Sequence, residues 1–288
     1  MLSVPAPAKL NLTLEVLSRR PDGFHEIRSV IQTISLCDRI NLKPGPDISF
    51  RSNLADWKAE KSLVSRTARL LKEVTGYGQG ASIEVIKHIP LVSGLGGDSS
   101  NGAATLHGLN KLWGLGLSPP QLLDLAKQLG SDVPFFLTGG TALVAGRGEM
   151  VTPLPPLPHR WVVLIIPGVA RLARKTEQLY ASLKPTHYTD GQITEGLIKT
   201  LKAGGDFSSS GLFNTFENVA FTRFAELSTC REHIKKVGAG LIHLAGSGPA
   251  LFTLLKEKKQ AEDLHTRLKQ QNLETYLSEI IDNTERVL

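Results

Sequence analysis

The chain has 288 residues, of which 41% are hydrophobic and 21% charged, with a formal net charge of +6 and two cysteines. That is enough chain for one large or two medium domains with proper cores, and the balance is that of a globular protein, neither disordered nor membrane-embedded. The basic excess favours anionic partners, but its lysines and arginines are scattered and aromatic residues make up only 6%, so phosphorylated small molecules are expected as partners and nucleic acid is not. No apolar run approaches the ~18 residues of a membrane span. Met1–Lys9 lacks the basic start and apolar core of a secretory leader. Cys37 and Cys230 lie far apart with no Cys-x-x-Cys spacing, which fits a reduced cytoplasmic setting without a zinc site or a disulfide framework.

Along the chain, Ala8 to Leu17 alternates as a strand, with Leu10, Leu12, Leu14 and Val16 on one face and Lys9, Asn11, Thr13 and Glu15 on the other, which is expected to stay open. Strands are predicted at Val30–Leu36, Ile40–Lys43, Ser82–Ile86 and Thr141–Ala145, and helices at Leu63–Thr75, Gly102–Trp113 and Pro119–Gly130. The proline cluster Pro153–Pro158 interrupts this pattern, and the apolar strand from Trp161 opens a second half. After it come helices near Thr176–Leu183 and Phe213–Leu227, strands at Gly240–Leu244 and Ala250–Leu255, and a final amphipathic helix of mixed charge within Lys256–Lys269. The expected organisation is two α+β halves, 1–155 and 156–288.

The stretch from Pro90 to Ala104 joins a glycine-rich turn to the hydroxyls of Ser99 and Ser100 and a small-residue helix start. Glycines let the backbone approach an anion closely, and the free N–H groups of a helix's first turn point at it. It is not a Walker loop, because no Gly-Lys pair occurs, and Ser99 stands where a dinucleotide fingerprint needs its last glycine. His-Arg-Asp and Asp-Phe-Gly are absent too, which removes the protein kinases. Taken alone, such a turn is better explained as a tight loop and helix cap with no ligand. Lys9 and Asn11, two apart on one strand face, read either as an edge lysine kept for solubility or as a pair presented to a ligand. Asp132, in Gly130-Ser-Asp-Val-Pro-Phe-Phe136, either caps a short helix or is a carboxylate able to take a hydroxyl proton in phosphoryl transfer.

Together these residues resemble the GHMP kinase superfamily, whose members include galactokinase, homoserine kinase and mevalonate kinase. The superfamily's ATP loop matches Pro90 to Ser100, and its C-terminal Gly-Ser-Gly-Pro matches Gly246 to Pro249. Pro7-Ala-Lys9-Leu-Asn11-Leu12, Arg20-Pro-Asp22-Gly-Phe24-His25 and Ser131-Asp132-Val-Pro-Phe-Phe136 resemble the branch that acts, in the non-mevalonate isoprenoid pathway, on a cytidine-diphosphate-linked methylerythritol. The motifs follow in the right order over nearly the whole chain.

The resemblance implies an N-terminal ribosomal-protein-S5-like domain and a C-terminal ferredoxin-like domain with the active site in the cleft between them. It implies ATP as co-substrate, Mg²⁺ with ligands not identified, and a monomer or homodimer. Asp132 would take or orient the proton of the acceptor's 2-hydroxyl beside Lys9, and Asn11 would bond the methylerythritol part or Asp132. Phe24 and His25 would meet the cytosine, with Tyr180 as its second aromatic wall. Pro90, Gly94, Leu95, Gly96, Gly97, Ser99, Ser100, Gly246, Ser247 and Gly248 would line the ATP phosphates. Lys87 would lie near the adenine or its phosphates, or else be an exposed strand-end lysine. The chain departs from the family in Asp98, where glycine is usual and a carboxylate facing phosphate would repel it; Asp98 is therefore expected to point away. Ser62-Leu63 stands for the usual Asn-Leu, Phe24 for the commoner tyrosine, and the segment from Val169 to Thr176 is longer than the family suggests. Other readings are a GHMP kinase for homoserine, mevalonate or a sugar, or a silent nucleotide-binding regulator of the same fold. Neither has a use for the Asp22–His25 segment together with an intact Lys9 and Asp132.

Overall fold

A computed structural model describes residues 1–168 and 175–282. Its first half runs β1 (Leu2–Asn11), β2 (Thr13–Arg19), β3 (His25–Gly45), β4 (Ser49–Ser52), α1 (Leu63–Thr75), β5 (Gly80–Ile86), α2 (Gly97–Leu112), α3 (Pro119–Leu129), α4 (Val133–Thr138), β6 (Thr141–Gly146) and β7 (Met150–Pro153). Its second half runs β8 (Trp161–Ile166), α5 (Lys175–Ser182), α6 (Gln192–Lys202), β9 (Phe213–Asn214), α7 (Glu217–Arg223), α8 (Ala225–Lys236), β10 (His243–Leu244), β11 (Leu251–Leu255), α9 (Lys258–Gln270) and β12 (Glu274–Glu279). Most of the lengthened segment after Pro167-Gly168 lies outside the described residues. No described helix is long and apolar enough to cross a membrane.

An eight-stranded sheet is organised around β3, which pairs antiparallel with β2 and β6 along its first part and with β1 and β5 along its second. Helices α1 and α2 lie on this sheet, where Val64, Leu71, Leu106 and Leu109 meet Ile40, Leu42 and Ile83 in one buried cluster. A second sheet, in the order β10-β11-β8-β12, is antiparallel throughout. With α7 and α8 before β10 and α9 before β12, this is the βαββαβ arrangement expected of a ferredoxin-like half. Strand β8 is apolar on both faces because both are covered. Val163 and Ile165 face the cluster with Leu227, Ile234, Leu264 and Leu268, whereas Val162 and Leu164 meet Leu10, Leu12 and Ile34 of the first half.

The two halves are also joined through their backbones. Strand β9 runs parallel to β2, with Phe213 N–H donating to Leu12 O at 3.1 Å and Thr215 N–H to Leu14 O at 2.8 Å. Ile34 bridges Ile280, and Ile281 N–H donates to Thr33 O at 3.2 Å.

Several expectations are corrected. The single strand Ala8–Leu17 is two strands broken at Leu12, and its polar face is not open: Lys9 and Asn11 are buried, and Thr13 and Glu15 fully so. For Thr13 and Glu15 the reason is α6, unforeseen, which lies across them; Thr194 N–H donates to Glu15 Oε2 at 2.7 Å and Thr194 Oγ1 to Thr13 Oγ1 at 2.9 Å. The strands expected at Val30–Leu36 and Ile40–Lys43 are one continuous β3. Helix α2 begins at Gly97, inside the glycine-rich stretch, and not at Gly102. The helix expected over Phe213–Leu227 is β9, held by Asn214 Nδ2 donating to the carbonyls of Leu244 at 2.9 Å and Gly246 at 2.7 Å, followed by α7 and α8, parted at Phe224, whose backbone is extended.

Candidate active site

One cleft of about 1820 Å³ gathers residues from both halves, among them Lys9, Asn11, Phe24, His25, Lys87, Pro90, Gly94, Gly96, Asp132, Tyr180 and the Gly246–Gly248 turn. Its floor is the end of β1. Lys9 is not an edge lysine: its N–H donates to Leu95 O at 2.9 Å and its side chain is 6% exposed. Lys9 Nζ donates to Asn11 Oδ1 at 2.7 Å, which leaves Asn11 Nδ2 to donate to Ser29 Oγ at 2.9 Å, and Ser29 Oγ in turn to Thr13 O. Each donor in this chain fixes the next, so the ammonium cannot turn freely. What it meets at 3.6 Å is Asp132 Oδ2. Asp132 occupies the N-cap position of α4, yet its side chain makes no cap bond. The carboxylate, 37% exposed, is therefore available to the cleft and not spent on its own helix.

The glycine-rich loop lies beside this pair. Gly94 and Gly96 have φ of +87° and +73°, a region that side-chain-bearing residues seldom adopt. Space also excludes a side chain there: a Cβ on Gly94 would sit 2.3 Å from Ala245 O, and one on Gly96 2.8 Å from the Phe136 ring. Gly96 is the N-cap of α2 and offers no side chain, and the first helical bond of α2 runs from Ser100 N–H to Gly96 O. The N–H groups of the turn before Ser100 are thus placed to meet an anion at the positive end of the helix. Ser99 is half-buried; Ser100 Oγ is buried with no hydrogen-bond partner among the described residues. Leu95 turns its side chain into the core, so only its backbone borders the site, and Pro90 O accepts from Ser93 Oγ at 2.8 Å. Val92, at the tip, has φ +56° and is 60% exposed.

Lys87 is no exposed strand-end lysine. It is buried under the loop, with Nζ ion-paired to the fully buried Asp38 and donating to Asn101 Oδ1 at 3.0 Å. Asp38 also accepts from the N–H groups of His88 at 2.7 Å and Ile89 at 2.8 Å, and from Asn101 Nδ2 at 2.9 Å. This five-bond knot beneath the phosphate loop has no counterpart in the sequence reading. Asp98 turns towards α1, where both carboxylate oxygens accept from Leu63 N–H at 3.2 Å. Asp98→Gly is accordingly expected to leave nucleotide affinity within about twofold while α1 loses a cap worth about 1 kcal/mol. Titration calorimetry with AMP-PNP checks it, and a several-fold gain in affinity would place the carboxylate against the phosphates instead.

At the other end of the cleft, the Asp22-Gly23 turn presents two rings. Phe24 N–H donates to Asp22 Oδ1 at 3.1 Å, and the exposed Phe24 ring lies 4.8 Å beneath the Arg147 guanidinium. His25 stacks on Tyr180 with ring centroids 4.6 Å apart and meets Tyr188 edge-on at 6.2 Å; Tyr180 meets Phe216 edge-on at 4.8 Å. Burial, and then the charge of Arg19, hold the His25 imidazole below its ordinary pKa. Burial, and then the charge of Asp132, push the Tyr180 phenol up. Gly246 to Gly248 close the cleft from the second half, with Ser247 Oγ sharing a 2.7 Å hydrogen bond with Thr176 Oγ1. Arg147, Lys175, Thr176, Tyr188 and Phe216 line the cleft without having been foreseen; they are single residues in segments with no motif of their own. Among the described residues no group of three or more His, Cys, Asp or Glu could hold a metal ion.

The family model described as GHMP kinases N terminal domain matches residues 62–140, and that described as GHMP kinases C terminal matches 195–274. The chain is 49% identical over 277 residues to a 4-diphosphocytidyl-2-C-methyl-D-erythritol kinase of Dehalococcoides mccartyi, with 96% of this chain and 97% of that one covered. It is 39% identical to the protein of the same name from Geobacillus thermodenitrificans, with 93% of each covered. A crystal structure of 4-(cytidine 5'-diphospho)-2C-methyl-D-erythritol kinase superposes with a TM-score of 0.82 at 31% identity, covering 97% of this chain and 99% of that chain.

Proposed function

The chain belongs to the GHMP kinase family, among its 4-diphosphocytidyl-2-C-methyl-D-erythritol kinases, and from that membership we propose that it phosphorylates the 2-hydroxyl of this cytidylated methylerythritol with ATP. The observation that carries the reading is the position of the Lys9–Asp132 pair, in one cleft with the glycine loop and with the stacked His25 and Tyr180. Phosphate can lie on one side of that pair and a nucleobase on the other. Transfer is in line: the acceptor oxygen bonds the γ-phosphorus as its bond to ADP breaks, and the hydroxyl proton passes to Asp132. Lys9 stays beside the reaction centre, where its charge opposes the negative charge building on the phosphoryl group. The N–H groups of the first turn of α2 hold the phosphates. The ring pair His25–Tyr180 supports stacking with cytosine, and the neutral imidazole has polar edges for reading it.

Mg²⁺ belongs to the same proposal. The Ser100 hydroxyl, which has no partner among the described residues, is a hard oxygen of the kind Mg²⁺ takes alongside nucleotide phosphates, and the ion would supply charge neutralisation there. We also place the boundary between the halves at 155/156, in the proline stretch between β7 and β8, and the enzyme in the cytoplasm.

The test is ADP release with ATP, Mg²⁺ and each of the cytidylated methylerythritol, homoserine and mevalonate. Turnover confined to the first is expected; turnover with either of the others would replace the acceptor assignment. A second result concerns His25. Its lowered pKa means that CDP affinity should persist as pH falls past 6.5 and weaken only in more acid solution, where the ring protonates. Affinity measured across pH for the wild type and His25→Gln checks it, because the difference between the two curves isolates the imidazole. A difference centred at or above 6.5 would contradict it.

A further inference from the structure

Lys175 opens α5 and is only 7% exposed, yet its Nζ has no hydrogen-bond partner among the described residues. A buried ammonium without a partner is costly, and it is a rare thing for a fold to keep. Its surroundings explain the cost. The Phe224 ring centroid lies 5.0 Å from Nζ, and a Cβ added to Gly248 would stand 3.2 Å from it. Desolvation alone pulls its pKa from 10.5 to about 8.

The position is not arbitrary. Lys175 lines the same cleft as Lys9 and Asp132, and its neighbour Thr176 is bonded to Ser247 in the middle of the Gly246–Gly248 turn. At the opposite end of that turn a Cβ on Gly246 would stand 3.1 Å from Lys9 Nζ. The turn therefore has an ammonium at each end. Lys9 is hydrogen-bonded to Asn11 and ion-paired with Asp132, whereas Lys175 Nζ has no hydrogen-bond partner among the described residues. A methionine would fill the same volume without the desolvation cost, so packing gives no reason for a lysine.

We propose that Lys175 is a phosphate-binding residue of the cleft, its ammonium taking a phosphate oxygen brought against the Gly246–Gly248 turn. The inference rests on the kinase reading, which supplies two sources of that phosphate: the nucleotide's triphosphate tail and the diphosphate of the cytidylated acceptor. Phosphate binding at this point gives the ammonium a charge-assisted partner.

The experiment measures AMP-PNP (with Mg²⁺) and CDP affinity by calorimetry, and Tm without ligand, for the wild type, Lys175→Met and Lys175→Arg. Loss of one charge-assisted hydrogen bond is expected to weaken one of the two ligands roughly tenfold or more in Lys175→Met, with Lys175→Arg recovering most of it. The ligand affected identifies the source of the phosphate. Unliganded Lys175→Met is expected to melt at or above the wild-type temperature, since it removes an uncompensated charge. Unchanged affinity for both ligands overturns the proposal. So does a methionine variant that melts lower or fails to fold, because that is the mark of a packing role. A wild type that does not bind CDP counts against the acceptor assignment and leaves the AMP-PNP arm to decide on Lys175.

Discussion

Replacing Asp132 with asparagine is expected to lower kcat by about 10²–10⁴-fold, the range that a positioned general base contributes. The geometry makes this a clean substitution. Asp132 makes no cap bond to α4, so its helix does not depend on the carboxylate. Lys9 keeps its 2.7 Å bond to Asn11 when the 3.6 Å ion pair is lost, so the ammonium stays where it is. The amide has the carboxylate's shape and none of its basicity. AMP-PNP and CDP affinities should accordingly change by no more than about threefold, which separates a chemical effect from a binding one. Single-turnover quench measurements read the step directly. A kcat within tenfold of wild type would mean that the hydroxyl proton leaves by another route, and that turnover rests on holding the phosphoryl group alone.

The largest effect on stability is expected at Asp38, which never touches substrate. Asp38→Ala would leave Lys87 buried without its counter-ion and strip the N–H groups of His88 and Ile89 of their acceptor. Breaking a buried pair from one side costs about 3–5 kcal/mol, because the remaining charge is stranded. Urea unfolding measures it. The double variant Asp38→Leu, Lys87→Met removes both charges and should recover much of the stability. Nucleotide affinity should not recover with it, since the loop above has then lost a cation. A single variant as stable as wild type would show that water reaches Lys87 and that the knot is not sealed.

Local chemistry with local partners was readable from the sequence. Helix α1 runs from Leu63 to Thr75 as expected because Ser62 Oγ accepts from Ser65 N–H at its start and Gly76 takes the left-handed conformation at its end. The glycine loop was legible because φ and close approach admit so few residue types there. Lys9 and Asn11 fall side by side by strand geometry. Whatever depends on remote partners was not readable. Asp38 interrupts an apolar stretch and so reads as a turn between two strands; its partners at 87 to 89 and 101 are what permit a carboxylate in the middle of β3. The polar face of β2 looked open because nothing in Gln192–Lys202 announces that α6 will cover it. Lys175 gave no signal, since its meaning lies in having no hydrogen-bond partner among the described residues.

The backbone seams between the halves bear on how the cleft works over a catalytic cycle. A rigid swing of one half about a hinge would break the β9–β2 hydrogen bonds at Phe213 and Thr215 and the Ile281–Thr33 bond together. Opening is therefore left to small projecting segments, such as the turn bearing Phe24 and the loop tip at Val92, both well exposed. An enzyme built in this way resembles a fixed mould more than a jaw. Most of the ordering of its reacting groups is completed when the chain folds, and little remains to be done when substrates arrive.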